Sequence, residues 1–213
     1  MILSFSREFP WDAPSHFKDR ILTGQKKHTF RSDSSELWAP GKKIHYWMGT
    51  PRYQGNNPFQ IFPDFEHVDY WLQVATDKVF TKAQIFEMYG DQKLKRAKAD
   101  NWFMPLCAGI EYAQFRFTNI MGRFRMTLSI GNQPMGEIIF EESNDKAYPL
   151  NNIYSDGPII DIAKNDGFDI SFLDFAHWFL LVSEKYKVTE FDQRLIHWTN
   201  SFYVPDQAEK LNV

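Results

Sequence analysis

The stretch from Ile110 to Phe140 constrains the fold most. Ile110 to Phe117, Phe124 to Ile130 and Glu137 to Phe140 read as successive strands, joined by turns at Gly122 and Gly131. A chain built around such a run needs a sheet with a large apolar layer against it. The composition supplies one. The 213 residues are 43% hydrophobic and include 20 Phe, 9 Tyr and 7 Trp. Aromatics favour strands and bury large areas, so a β-rich single domain spanning 1–213 is expected.

Other elements attach to this run. Ile2 to Phe5 reads as a first strand ended by Pro10 and Pro14. Ser15 can then cap a short helix with Phe17, Ile21 and Leu22 on one face and Gly24 as its stop. Pro40-Gly41 marks a turn, and Lys43 to Gly49 alternates as a strand with Ile44, Tyr46 and Met48 on one side. Another strand is expected over Val68 to Val79, and a helix from Thr81 with Gln84 completing a capping box. Asn144 to Pro158 reads as a long loop. A helix from Ser171 carries Phe172, Phe175, Ala176, Phe179 and Leu180 as a core stripe. Arg194 to Thr199 reads as a last strand, and the tail after Pro205 as frayed.

Charge and cysteine content exclude several classes. A net charge of -3 leaves no polycationic coat, so any nucleic-acid contact must come from a local patch. One cysteine, Cys107, excludes an internal disulfide framework and a cysteine-based zinc site, and suits a reducing cytoplasm. No apolar run reaches a membrane span, and the N-terminus lacks a signal-peptide pattern. The six histidines show no H-x-x-x-H pair, so no metal site is expected. The absence of G-x-S-x-G, a P-loop and G-x-G-x-x-G leaves serine esterase, NTPase and dinucleotide chemistry unsupported, and no cofactor is expected.

Three segments carry a resemblance. FKDRILTGQKKHTFR (17–31) is similar to a G-x-K-x-x-E-x-R signature, met by Gly24, Lys26 and Arg31, with Thr29 where many members have Glu. PGKKIHYW (40–47) follows it. AKNDGFDISFLDFAHWF (163–179) and RLIHWT (194–199) resemble an acidic-Gly-Phe turn, helix and closing strand. Together they resemble the ASCH family of PUA-like barrels. That resemblance implies an α+β fold, a PUA-like mixed β-barrel with peripheral helices, with about 50–150 as a large central insertion.

The Thr narrows the resemblance to a subgroup of ASCH proteins that hydrolyses the amide of N4-acetylcytidine with Lys, Thr and a later Glu. Lys26 and Thr29 match that pattern, and the later acid falls near Asp166. Asp is one methylene shorter, and a displacement of about an ångström can cost ~10²-fold. Thr29 would attack or orient water, Lys26 would act as base, Asp166 would hold the Lys or carry a proton to the leaving amine, and Arg31 would meet a phosphate or oxyanion. As a strand, the segment puts Thr29 and Arg31 on one face and Lys26 on the other, so the three converge only if the chain bends near Lys27. Gly24 permits a bend, and equally serves as a helix C-cap.

Three functions follow. The first is binding of RNA or a modified nucleoside or nucleotide through Gly24, Lys26, Lys27 and Arg31, with Trp47 (or Tyr46) stacking a base and Arg52 at a strand exit. The second is amide hydrolysis by Lys26, Thr29 and Asp166. The third is a protein-interaction scaffold. Each residue also has a plainer role: Lys26 and Arg31 as surface cations, Thr29 as a strand residue, Trp47 and Tyr46 as core. The basic run from Lys93 to Lys98 reads as a solvated helix face.

Overall fold

The computed structural model describes residues 2–6, 8–11, 14–32, 38–42, 44–48, 107–143, 150–168, 172–198 and 202–210. Among them the fold is α+β. The elements run β1 (Ile2–Phe5), α1 (Phe17–Leu22), β2 (His28–Ser32), β3 (His45–Met48), β4 (Gly109–Ile120), β5 (Arg123–Ile130), β6 (Gln133–Glu142), β7 (Leu150–Asp156), α2 (Ile159–Asn165), α3 (Phe172–Tyr186), β8 (Glu190–His197) and β9 (Glu209–Lys210). The main sheet is antiparallel, in the order β2-β8-β4-β5-β6-β7, with β9 pairing Gly109 and Ile110 of β4. β1 and β3 form a separate parallel pair.

The turns at Gly122 and Gly131 are as expected. Met121 and Gly122 both have positive φ, as do Gly131 and Asn132. Two-residue loops of that conformation match the twist of the strands they join. The Asn119 carboxamide accepts a bond from the Gly122 N–H at 3.1 Å.

The buried face of the sheet carries Phe30, Ala113, Phe115, Phe117, Met126, Leu128, Ile130, Ile138 and Phe140. Against it packs α3 through Phe175, Ala176, Phe179 and Leu180, while Phe172 is only partly buried. The Phe115 and Phe179 rings stack at 4.1 Å, and Phe30 meets Phe115, Phe175 and Phe179 at 5.1–5.8 Å. Much of the aromatic load is therefore the contact layer between helix and sheet.

Several boundaries differ from expectation. Residues 150–156, read as loop, form β7. Its side chains are mostly exposed and lack alternation, because it is an end strand held by main-chain pairing to β6. Helix α2 was not anticipated, although Ile159, Ile162 and Ala163 carry the helical spacing and are buried. β8 begins at Glu190, before the expected Arg194, and the tail returns as β9. At α1 the N-cap position belongs to His16, with the Ser15 hydroxyl 3.5 Å from the Phe17 N–H. The described part of the 50–150 stretch supplies β4 to β6, with β4 lying between β8 and β5. The expected strand over Val68 to Val79, the helix from Thr81, the Lys93–Lys98 run and Arg52 lie outside the described residues.

Candidate functional site

The site forms where the short segment after α1 is stitched to both ends of the main chain path. Gly24 takes a left-handed φ of 76° and donates its N–H to Ile21 O, so it is both the helix stop and the bend. The Lys26 N–H then bonds Arg20 O at 2.9 Å, and the Lys27 N–H bonds Asn165 O at 2.8 Å at the end of α2. The Lys27 carbonyl accepts from the Trp198 N–H just past β8. These bonds carry Lys26 to Asp166.

Lys26 Nζ sits 2.8 Å from Asp166 Oδ1 and also donates to the Asp166 carbonyl. Both residues are buried, at 1% and 5% exposure. The shorter acid thus reaches the lysine. The ammonium lies 4.7 Å from the Phe17 ring centre and 5.5 Å from that of Phe5. Burial is the largest influence on its basicity and lowers its pKa to about 8; Asp166 opposes the fall, and Arg31 and Arg20 add to it. Gly167, with φ of 89°, leaves room for the pair: a Cβ there would sit 3.2 Å from Lys26 Cδ and 3.1 Å from the Phe17 ring. The neighbouring Arg20 guanidinium donates to Ser15 O and Gly167 O, which pins this turn.

Thr29 and Arg31 share one face of β2, as expected. Arg31 donates to Thr29 Oγ at 3.0 Å, to Phe30 O at 2.8 Å and to Ser4 O on β1 at 2.6 Å. Its guanidinium lies 5.2 Å from the Phe5 ring. β2 is an end strand of the main sheet, so β1 can reach it from outside, and Phe5 touches both cations. Of the three residues expected to converge, Lys26 and Arg31 both reach the Phe5 ring, Lys26 from ahead of the strand, which starts at His28, and Thr29 is held by Arg31. Burial lowers the Arg31 pKa to about 10, with Asp166 opposing, and it stays a cation at neutral pH.

A second buried layer was not anticipated from sequence as a group. His28 Nδ1 faces Asp166 Oδ1 at 3.6 Å, and His28 Nε2 lies 3.0 Å from the Tyr203 hydroxyl. The Asn165 amide donates to that same hydroxyl at 3.0 Å. Behind His28 the His197 ring stands at 5.3 Å, with its Nε2 2.8 Å from Glu111 Oε2. Glu111 also accepts the backbone N–H groups of Tyr203 and Val204. Burial works against ionisation of Glu111, but His197 and these N–H groups together hold its pKa below the ordinary value. Burial lowers the His28 pKa to about 4, against the pull of Asp166. His28 and Asn165 were locally legible, lying beside Lys26 and Asp166 in the sequence. Glu111, His197 and Tyr203 join only through strand register and the C-terminal segment, which leave no local signal.

Of the remaining expected residues, Lys27 is partly exposed and contributes its backbone, and Trp47 lies in β3. A cavity of about 310 Å³ opens elsewhere, over β4 to β7, lined by residues including Gln114, Arg116, Arg125, Ser129 and Asp156. Among the described residues no group of three or more His, Cys, Asp or Glu is placed to hold a metal ion. No helix among them is long and apolar enough to cross a membrane. No protein-family model, curated protein or solved structure matches this chain.

Proposed function

We propose that the chain is an ASCH-like domain of PUA-like barrel type that hydrolyses the exocyclic amide of an N4-acetylcytidine-like nucleoside. One observation carries this reading: Lys26 is buried against Asp166 with its pKa lowered to about 8. A surface cation that binds RNA phosphate has no reason to be enclosed by Phe5 and Phe17. A general base has, because burial brings an amine into the range where it gives up its proton near neutral pH.

In this reading the free amine of Lys26 takes a proton from Thr29 Oγ or from a water that Thr29 orients. Thr29 already accepts a bond from Arg31, which leaves its own proton for a base. The oxygen adds to the amide carbon, and Arg31 faces the developing oxyanion. The C–N bond breaks as the Lys26 ammonium, held by Asp166, returns the proton to the leaving amine. If Thr29 is the attacking group, a water releases the acyl group in a second pass.

The test is deacetylation of N4-acetylcytidine by the wild type beside Lys26→Ala and Thr29→Ala. Turnover by the wild type alone, with kcat/KM rising through pH 8 as Lys26 deprotonates, is the expected result. No wild-type turnover at high enzyme concentration rejects hydrolysis. A second reading, binding of RNA or a modified nucleotide, draws on the partly exposed Lys27 next to the site. It requires oligonucleotide affinity that falls with salt and weakens in Lys27→Ala.

A further inference from the structure

His28 Nδ1 is a buried polar atom with no hydrogen-bond partner. At 3.6 Å from Asp166 Oδ1 it is too far to bond and too close to be indifferent. Buried orphans of this kind call for an explanation, because a desolvated polar group left unbonded is costly.

Counting protons around the ring supplies one. A neutral imidazole has one N–H and one lone pair. Tyr203 has one hydroxyl proton, and its oxygen already accepts from the Asn165 amide. If Tyr203 donates to His28 Nε2, the imidazole proton must sit on Nδ1 and points at the carboxylate. The opposite tautomer turns a nitrogen lone pair toward Asp166 and leaves the Tyr203 proton without the nearby His28 acceptor. The first arrangement satisfies the Tyr203 proton and turns the ring proton toward the carboxylate; the second leaves the Tyr203 proton without that acceptor and sets a lone pair against Asp166.

Asp166 Oδ1 therefore faces two donors, Lys26 Nζ at 2.8 Å and His28 Nδ1 at 3.6 Å. One is bonded, the other stands by. A base that works through Lys26 must at some point loosen the Lys26–Asp166 bond, and this would strand a carboxylate in a buried site. We propose that His28, fixed in its Nδ1–H tautomer by Tyr203 and Asn165, is a positioning residue that takes over Asp166 when Lys26 lets it go.

The groups facing His28 are Asp166 and Lys26 on one side, Tyr203 on another, and His197 with Glu111 behind it. Loss of the Lys26 charge removes a neighbouring cation and leaves His28 as the nearby ring donor to Asp166. Both changes favour a protonated ring. The consequence for turnover rests on the hydrolytic reading; the tautomer and the change of partner do not.

The experiment is a long-range proton–nitrogen NMR correlation on the full chain with labelled histidines, His28→Asn supplying the assignment. The wild type at neutral pH is expected to show His28 protonated at Nδ1 and bare at Nε2. The reverse pattern overturns the proposal. In Lys26→Met the His28 pKa is expected to climb from about 4 toward neutrality; an unchanged titration in that variant, if folded, overturns the exchange of partners. Tyr203→Phe keeps the ion pair and needs no rescue of a buried charge. There the Nδ1–H form is expected to lose its dominance, and retention of it shows that Tyr203 does not set the tautomer. If nucleoside turnover exists, Tyr203→Phe is expected to lower kcat roughly tenfold with KM unchanged, the worth of one neutral hydrogen bond. Absent turnover rejects hydrolysis and leaves the NMR outcome standing.

Discussion

Lys26 and His28 lie two residues apart, and burial is the largest influence on both, lowering the pKa from 10.5 to about 8 and from 6.5 to about 4. In each window the unfolded chain binds more protons than the folded one, so stability rises with pH there. For His28 the window runs from pH 4 to 6.5. Acid weakens the fold as pH falls through 6.5, and this contribution is spent by about pH 4. Its size is on the order of 3 kcal/mol at 1.36 kcal/mol per pKa unit. The urea midpoint of the wild type should therefore fall more steeply below pH 6.5 than that of His28→Asn. For Lys26 the window is pH 8 to 10.5, and a gain in midpoint across it should be missing from Lys26→Met. Equal slopes in wild type and variant would remove the physical basis for treating either group as strongly desolvated.

Among the elements, the turns and the bulge of the main sheet show what a glycine does beyond filling space. Gly122 and Gly136 both have positive φ, yet a Cβ at Gly122 meets nothing within 4 Å, whereas at Gly136 it would overlap the carbonyl oxygen of Asp156. Gly136 sits beside the register shift between Leu128 and Ser129, where β6 passes close to the end of β7. Gly122→Ala should cost about 1–2 kcal/mol, from backbone strain alone, and Gly136→Ala at least about 3 kcal/mol. Chemical denaturation of the two variants separates strain from overlap. Gly167→Ala tests the site itself: strain of about 1–2 kcal/mol should come with displacement of Lys26, so the Lys26 titration should move along with stability. The elements the sequence revealed are those whose side chains repeat in space. The alternation in β4 and β5 and the stripe on α3 were legible because one face of each is buried. β7 was hidden because its side chains are mostly exposed and only its backbone pairs. Within the candidate site, the resemblance of two segments pointed to Lys26, Thr29, Arg31 and Asp166, of which the structure brings Lys26 to Asp166 and Arg31 to Thr29. Tyr203, Glu111 and His197 were not, because the register of β4 against β8 that joins them depends on the whole sheet.

Across the whole molecule, Glu111 ties the inner end of the sheet to the segment leading into β9. It pairs with His197 on the neighbouring strand and receives two backbone N–H groups from residues 203 and 204. Glu111→Ala should cost about 3–5 kcal/mol, since removing one member of a buried pair leaves the others unsatisfied. Because Tyr203 loses its backbone anchor with Glu111, the same variant should alter the His28 signals although it does not touch that ring, a change that histidine NMR would report.

Lys26 and Asp166 are 140 residues apart. During synthesis at about 5–20 residues per second, roughly 7 to 28 s separate the appearance of the amine from that of its acid. Until then Lys26 is an ordinary, water-solvated lysine. Its altered basicity is thus conferred late, by closure of a long loop, and a nascent or partly unfolded chain carries the residues of the site without its chemistry.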